Sequence, residues 1–211
     1  MKTILFLHGW GTDENSFAHI RPFFERNCHC IFVNFDCNPK RVLTLEEYSK
    51  EVEQILSNNA VEKCHVIAHS FGARVAVLLA NRNPNLVQKM VLTGAAGIKP
   101  RFSLIKWLKI RLHKMGFKQK GSSDYRKLGV AGKITFQNII NRDLSAVIVD
   151  VDVPTLLIWG KRDKSTPLYM GKLWTKLQKT ATMKIYKDAG HFCFIDEPAR
   201  FISNVVEFFG G

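Results

Sequence analysis

Six short apolar runs punctuate this 211-residue chain, and the segments between them follow a different period. The runs are Thr3–Leu7, Cys30–Phe35, Cys64–Ala68, Lys89–Thr93, Thr155–Trp159 and Thr182–Tyr186. Each is a continuous apolar run, as expected of a strand covered on both faces. Ser16–Arg26, Thr44–Asn59, Phe71–Arg82, Ser165–Lys179 and Pro198–Phe209 instead carry helical periodicity. Thr44 followed by Glu47 has the spacing of a capping box, which marks a helix start. Strands alternating with helices predict the α/β class: a mostly parallel six-stranded sheet with helices on both faces. Such sheets bind ligands beyond the carboxyl ends of their strands. The residues just after each run are therefore the first candidates for chemistry.

The alternation breaks once, between Gly97 and Asp150. This predicts a core formed by residues 1–96 and 150–211, with a small helical cap inserted at 97–149 over the strand ends. The formal net charge of +13 is concentrated there: residues 99–142 hold twelve Lys/Arg against one acidic residue. Both flanking parts are nearly neutral.

Composition removes several classes. With 46% hydrophobic and 23% charged residues, one compact domain can bury a core without disulfides or metals. Cys28, Cys30, Cys37, Cys64 and Cys193 show no zinc spacing and read as reduced thiols, so no metal and no cofactor is expected. The apolar start, Met1 to Leu7, is too short for a signal peptide and runs directly into His8-Gly9-Trp10-Gly11. With no stretch of membrane-spanning length, a cytoplasmic location is expected.

The chemistry is carried by residues that follow strands. In Ala68-His69-Ser70-Phe71-Gly72, small residues stand two before and two after a serine between a strand and a helix. A sharp, strained strand-to-helix turn needs that spacing, and the helix amides beyond it favour negative charge at the serine oxygen. A serine nucleophile needs a base, and the base needs an orienting acid. His191 follows the sixth strand and Asp163 the fifth, giving the chain order Ser, Asp, His. An oxyanion hole needs two converging backbone amides; Phe71 N–H is one candidate, and Trp10 N–H in the first loop is the other.

Together, His8-Gly9-Trp10-Gly11, Ala68-His69-Ser70-Phe71-Gly72, Gly160-Lys161-Arg162-Asp163 and Gly190-His191 resemble the four signatures of the α/β-hydrolases. The resemblance covers nearly the whole chain and implies a sheet that lacks the family's first two strands. Two positions depart from the pattern. Ala68 replaces the commoner glycine, and Asp36-Cys37-Asn38-Pro39 replaces the usual Asp-x-Arg-Gly-x-Gly turn, which leaves Asp36 as the alternative triad acid. A serine at the elbow argues against dehalogenases and epoxide hydrolases, which use aspartate there. The family then implies hydrolysis of a carboxylic ester or thioester of a small or medium acyl substrate through an acyl-enzyme. A carbon–carbon bond hydrolase or lyase on an anionic substrate is the alternative enzyme. A non-enzymatic ligand-binding protein of the same fold is the alternative class.

Within the basic segment, Leu104, Ile105, Leu108, Leu112 and Met115 fall on one helical face, with Lys106, Lys109 and His113 opposite. Such a helix reads as a solvated lid, a lipid-surface element or a dock for an anionic partner. The first loop is also similar to that of the methyl ester esterase of biotin synthesis, which engages acyl carrier protein through basic cap residues. That similarity implies an anionic carrier, acyl carrier protein or coenzyme A, with anionic lipid as the other option and no nucleic acid. His8, Phe102, Trp107 and Ile110 are the candidate pocket walls.

Overall fold

The computed structural model describes residues 1–99 and 127–210. β1 (Thr3–Leu7), β2 (His29–Val33), β3 (Cys64–His69), β4 (Val87–Thr93), β5 (Thr155–Gly160) and β6 (Ala181–Tyr186) form one sheet in the order β2-β1-β3-β4-β5-β6. Every neighbouring pair is parallel. The strand order runs one way from β1 to β2 and the other way from β3 onward. The reversal opens a crevice between the carboxyl ends of β1 and β3, the point where open α/β sheets take their ligands.

The eight described helices are α1 (Arg21–Asn27), α2 (Leu45–Asn58), α3 (Phe71–Arg82), α4 (Val130–Asn141), α5 (Ser145–Asp150), α6 (Leu168–Leu177), α7 (Cys193–Asp196) and α8 (Pro198–Phe209). Alternate strand residues face opposite layers. Leu5, Leu7, Val66, Ala68, Met90, Leu92, Leu157 and Trp159 pack with α2, α3, α5 and α6. Ile4, Phe6, Ile67, Val91, Leu156 and Ile158 pack with Phe24 of α1, Phe194 of α7 and Phe201 and Val205 of α8. β1, β3 and β5 are covered on both faces, which is why their sequences are apolar, whereas the edge strands β2 and β6 are only partly covered and β6 carries Lys184.

Two predicted helices start later than their periodicity suggests. The run from Ser16 is split into a single 3₁₀ turn, Glu14–Phe17, and α1. Pro22 has no N–H to donate to a preceding turn, so it stands in the first turn of a new helix. The helix expected from Ser165 begins at Leu168, because Asp163 Oδ1 accepts the Ser165 and Thr166 amides at 2.8 and 2.9 Å and holds them in a turn. The capping box on α2 forms as spaced: Thr44 Oγ1 accepts from Glu47 N–H at 3.2 Å, and Glu47 Oε2 accepts from Thr44 N–H at 2.7 Å.

Of the segment inserted after β4, α4 lies over the strand ends and α5 packs against the sheet layer through the fully buried Ile148. α4 is tied at both ends. Asn38 Oδ1 accepts from Gly129 N–H at 2.8 Å, and Arg142 just beyond α4 pairs with Glu46 of α2. Midway, Leu43 N–H donates to Thr135 Oγ1 at 2.9 Å. The amphipathic stretch at 101–120, with Phe102, Trp107 and Ile110, lies outside the described residues. No described helix is long and apolar enough to cross a membrane.

Candidate active site

Ser70 is the residue between β3 and α3, and its backbone is in the left-handed half of conformational space, with φ 50° and ψ −106°. A non-glycine residue there costs about 1–3 kcal/mol and persists only when its surroundings fix it. The fixing contacts are backbone bonds: Ser70 N–H donates to Thr93 O at 3.1 Å, and Ser70 O accepts from the amides of Ala73 at 3.2 Å and Ala96 at 3.1 Å. Gly72 lets the turn close. A β-carbon there would stand 2.2 Å from the carbonyl oxygen of Leu7, on the neighbouring strand. The small residue two after the serine is thus required by contact between α3 and β1.

His191, after β6, and Asp163, after β5, meet at 2.8 Å between Nδ1 and Oδ2. The Asp163 side chain is fully buried, whereas that of His191 retains 15% exposure. All four acceptor positions of the carboxylate are used. Oδ1 takes the amides of Ser165 and Thr166; Oδ2 takes His191 and stands 2.8 Å from Thr166 Oγ1. Burial alone would raise the Asp163 carboxyl, but the bond from His191, that ring's charge and the Thr166 donors outweigh it. The group stays ionised below its usual range. With Nδ1 spent on Asp163, Nε2 is the ring nitrogen of His191 left to exchange a proton.

Gly94, after β4, makes room for this pair. It has φ +51°, and a β-carbon there would come within 2.9 Å of His191 Nδ1. His69 holds the base from the other side: its Nε2 lies 3.1 Å from the His191 carbonyl oxygen, so Nε2 carries the hydrogen. Burial, with the charge of His191 beside it, pushes the His69 imidazole down to about 3. It is a neutral donor at ordinary pH.

The β1 loop crosses directly above Ser70. A β-carbon on Gly9 would fall 2.8 Å from His69 Nδ1 and 3.4 Å from Ser70 Cβ. The loop that carries Trp10 therefore runs against Ser70. Phe71 opens α3, so its N–H has no intrahelical acceptor. The Trp10 ring packs edge-on against Phe71 at 5.2 Å and lies tilted against Phe136 of α4 at 5.4 Å, joining the loop to the helix above it.

Ser70 stands between two cavities. One, of about 300 Å³, is lined by His69, His191, Phe192, Thr12 and Leu128. The other, of about 260 Å³, is lined by Phe71, Ile98, Ile139, Ile140, Met170 and the buried Arg74. Trp10, Ser70, Phe136 and Ser165 line both. Among the described residues, no group of three or more His, Cys, Asp or Glu could hold a metal ion.

Two sequence expectations need correction. His8 lies beneath its loop and lines neither cavity: it is 1% exposed, its Nδ1 donates to Gly9 O at 2.7 Å, and its Nε2 accepts from Phe35 N–H at 2.9 Å. It fastens the β1 loop to the end of β2. Asp36 is exposed, and its carboxylate accepts from Asn38 N–H at 2.9 Å, so the alternative acid caps a turn while His191 pairs with Asp163. Sequence reasoning missed Thr166, Gly94, Arg74 and Phe136. Thr166 carried a signal, since a threonine three residues after a loop aspartate commonly closes such a turn. Arg74 carried another, as a charge within the apolar stretch of α3.

Comparison with known proteins gives a consistent picture. A family model described as alpha/beta hydrolase fold matches residues 2–119 and 116–198. A strigolactone esterase of Pisum sativum is 33% identical over 48% of this chain, a match spanning 40% of that protein. A strigolactone esterase of Arabidopsis thaliana is 24% identical over 93% of this chain and 88% of that protein. Among solved structures, a meta-cleavage product hydrolase from Pseudomonas fluorescens superposes with a TM-score of 0.78 at 20% identity, covering 99% of this chain and 90% of that one.

Proposed function

This chain belongs to the α/β-hydrolase family, and we propose that it is a serine hydrolase of carboxylic esters or thioesters working through an acyl-enzyme. The observation that carries the reading is the Asp163–His191 pair at 2.8 Å, beside a serine of left-handed backbone that lies between two cavities. Ser70 Oγ attacks the acyl carbon as its proton passes to His191 Nε2, and the new oxyanion takes the amides of Phe71 and Trp10. His191 returns the proton to the leaving alcohol or thiol, and the carbonyl re-forms as an acyl-Ser70 ester. Water then attacks, again giving its proton to His191, and Ser70 leaves with that proton. Asp163 holds the imidazole in the Nδ1–H tautomer throughout and stabilises the imidazolium.

A second reading, cleavage of a carbon–carbon bond next to a ketone in an anionic substrate, uses the same residues. It is favoured by the buried arginine in the second cavity and by likeness to a meta-cleavage product hydrolase. Assaying p-nitrophenyl esters beside a vinylogous 1,5-diketone acid separates the two. Turnover of the esters alone supports the first reading, and turnover of the diketone alone replaces it. Binding of both without turnover makes the protein a ligand binder. The basic stretch 99–142 is assigned the capture of an anionic acyl carrier or coenzyme A thioester.

A further inference from the structure

The second cavity is lined by a cation, Arg74, that makes one hydrogen bond among the described residues. Arg74 sits on α3, one helical turn beyond Ser70, and is only 5% exposed. A guanidinium has five N–H donors. Arg74 uses one at full strength, from Nη1 to the carbonyl oxygen of Arg142 at 2.8 Å, which ties α3 to the chain after α4. Among the described residues no carboxylate lies within ion-pair distance of it. Asp143 acts on Arg74 through its charge, which offsets burial only in part, and spends Oδ1 on the amide and hydroxyl of Ser145 at 2.9 and 2.6 Å. A buried charge with one bond is costly, because burial removes its water without replacing it. The cost shows in the side chain: burial lowers the Arg74 guanidinium to about 10. Most of what surrounds the cavity is apolar: Phe71, Ile98, Ile139 and Met170. A tether to Arg142 needs one N–H, and Arg74 also lines the cavity that Ser70 lines.

We propose that Arg74 is the specificity-determining residue of an acyl subsite that takes a carboxylate-tipped chain, so that the preferred substrate is the monoester or monothioester of a short dicarboxylic acid. This deepens the hydrolase reading and rests on it. The acyl carbonyl sits at Ser70, the methylene chain lies along Phe71, Ile98 and Met170, and the far carboxylate pairs with the free donors of Arg74. A planar guanidinium recognises a carboxylate through two parallel N–H bonds, which an ammonium cannot reproduce.

The experiment compares matched ester pairs: mono-p-nitrophenyl glutarate against p-nitrophenyl pentanoate, and the adipate against the hexanoate. The wild type is expected to favour the carboxylate member in kcat/KM by about ten- to hundredfold, as for bonds to a buried charge. Arg74→Met should abolish that ratio, whatever it does to the turnover of the neutral esters, and Arg74→Lys should keep part of it. A purely structural arginine would lower both members of each pair equally and leave the ratio unchanged. The proposal is overturned if the wild type turns over each pair equally, or if Arg74→Met keeps the preference. Because Arg74→Met could fail to fold, glutarate and pentanoate are also titrated against fluorophosphonate labelling of the wild type, where only glutarate should protect. Equal protection, or none from glutarate, overturns the subsite. Absence of both labelling and ester turnover would instead refute the hydrolase reading on which it rests.

Discussion

Replacing Asp163 with asparagine tests the site through its hydrogen-bond geometry alone, because the side chain keeps its size. The carboxylate accepts at both oxygens: Oδ1 from two backbone amides, Oδ2 from His191 and from the Thr166 hydroxyl. An asparagine can present only one oxygen. If its NH₂ faced Ser165 and Thr166, two pairs of donors would oppose each other in a buried turn, so the oxygen must stay there. The NH₂ then points at His191 Nδ1 and donates to it. This fixes the other tautomer, with hydrogen on Nε2, and a protonated Nε2 cannot accept from Ser70. Thr166 Oγ1 meanwhile can donate to Gly94 O, 3.0 Å away, so the turn survives. The expected loss is about 10⁴-fold in kcat, equivalent to about 5.5 kcal/mol in the barrier. Steady-state turnover of an activated aryl ester measures it, with circular dichroism as the check on folding. A folded Asp163→Asn protein that keeps kcat within about tenfold of wild type would refute the tautomer argument. The companion Asp36→Asn should retain nearly full activity, since Asp36 serves only a surface turn.

Other expectations follow from the same contacts. Ser70→Gly should unfold at higher temperature than Ser70→Ala, by about 2–4 °C for each kcal/mol of relieved strain, because glycine accepts φ 50° freely; equal melting temperatures would show that the turn stores no strain. Neutral His69 is held well below its ordinary value, so the unfolded chain binds the extra proton between about pH 6.5 and pH 3 and stability falls as pH drops through that window. The contribution of His69 to the slope approaches about 1.4 kcal/mol per pH unit, and His69→Gln should flatten urea-unfolding free energies measured between pH 6 and 4; an unchanged slope would contradict it. Gly72→Ala drives a β-carbon into backbone and should cost about 1–3 kcal/mol or more in chemical denaturation, with soluble, fully stable protein as the contrary result. Turnover of a carrier-linked thioester should fall steeply from low to high salt while that of a neutral ester barely changes; parallel responses would remove the carrier from the account.

The sheet was legible in the sequence because a strand buried on both faces leaves a compact signature, and each of the six runs reappears within a few residues of its expected place. Ser70, Asp163 and His191 were legible for a related reason. In a parallel sheet the carboxyl ends gather at one edge, so residues far apart in sequence but alike in strand-end position are brought together. What the sequence withheld depends on direction and on other segments. Nothing local says that His8 turns downward to accept Phe35 N–H rather than upward into a pocket. Gly94 reads as one of several small residues until the His191 ring is seen to occupy the space of its missing β-carbon. Arg74 looks like a misplaced surface charge on α3 until the chain after α4 folds over it and a carbonyl from Arg142 takes one of its donors. The wall residues expected of the inserted segment, Phe102, Trp107 and Ile110, lie outside the described residues.

The central claim is that Ser70 is a nucleophile activated by His191. The direct measurement is intact-protein and peptide mass spectrometry after titration with a fluorophosphonate. One adduct per chain is expected, on the peptide carrying Ser70, absent from Ser70→Ala and slowed by orders of magnitude in Asp163→Asn. A folded wild-type protein that takes no adduct, or a Ser70→Ala protein labelled as fast as wild type, would contradict it.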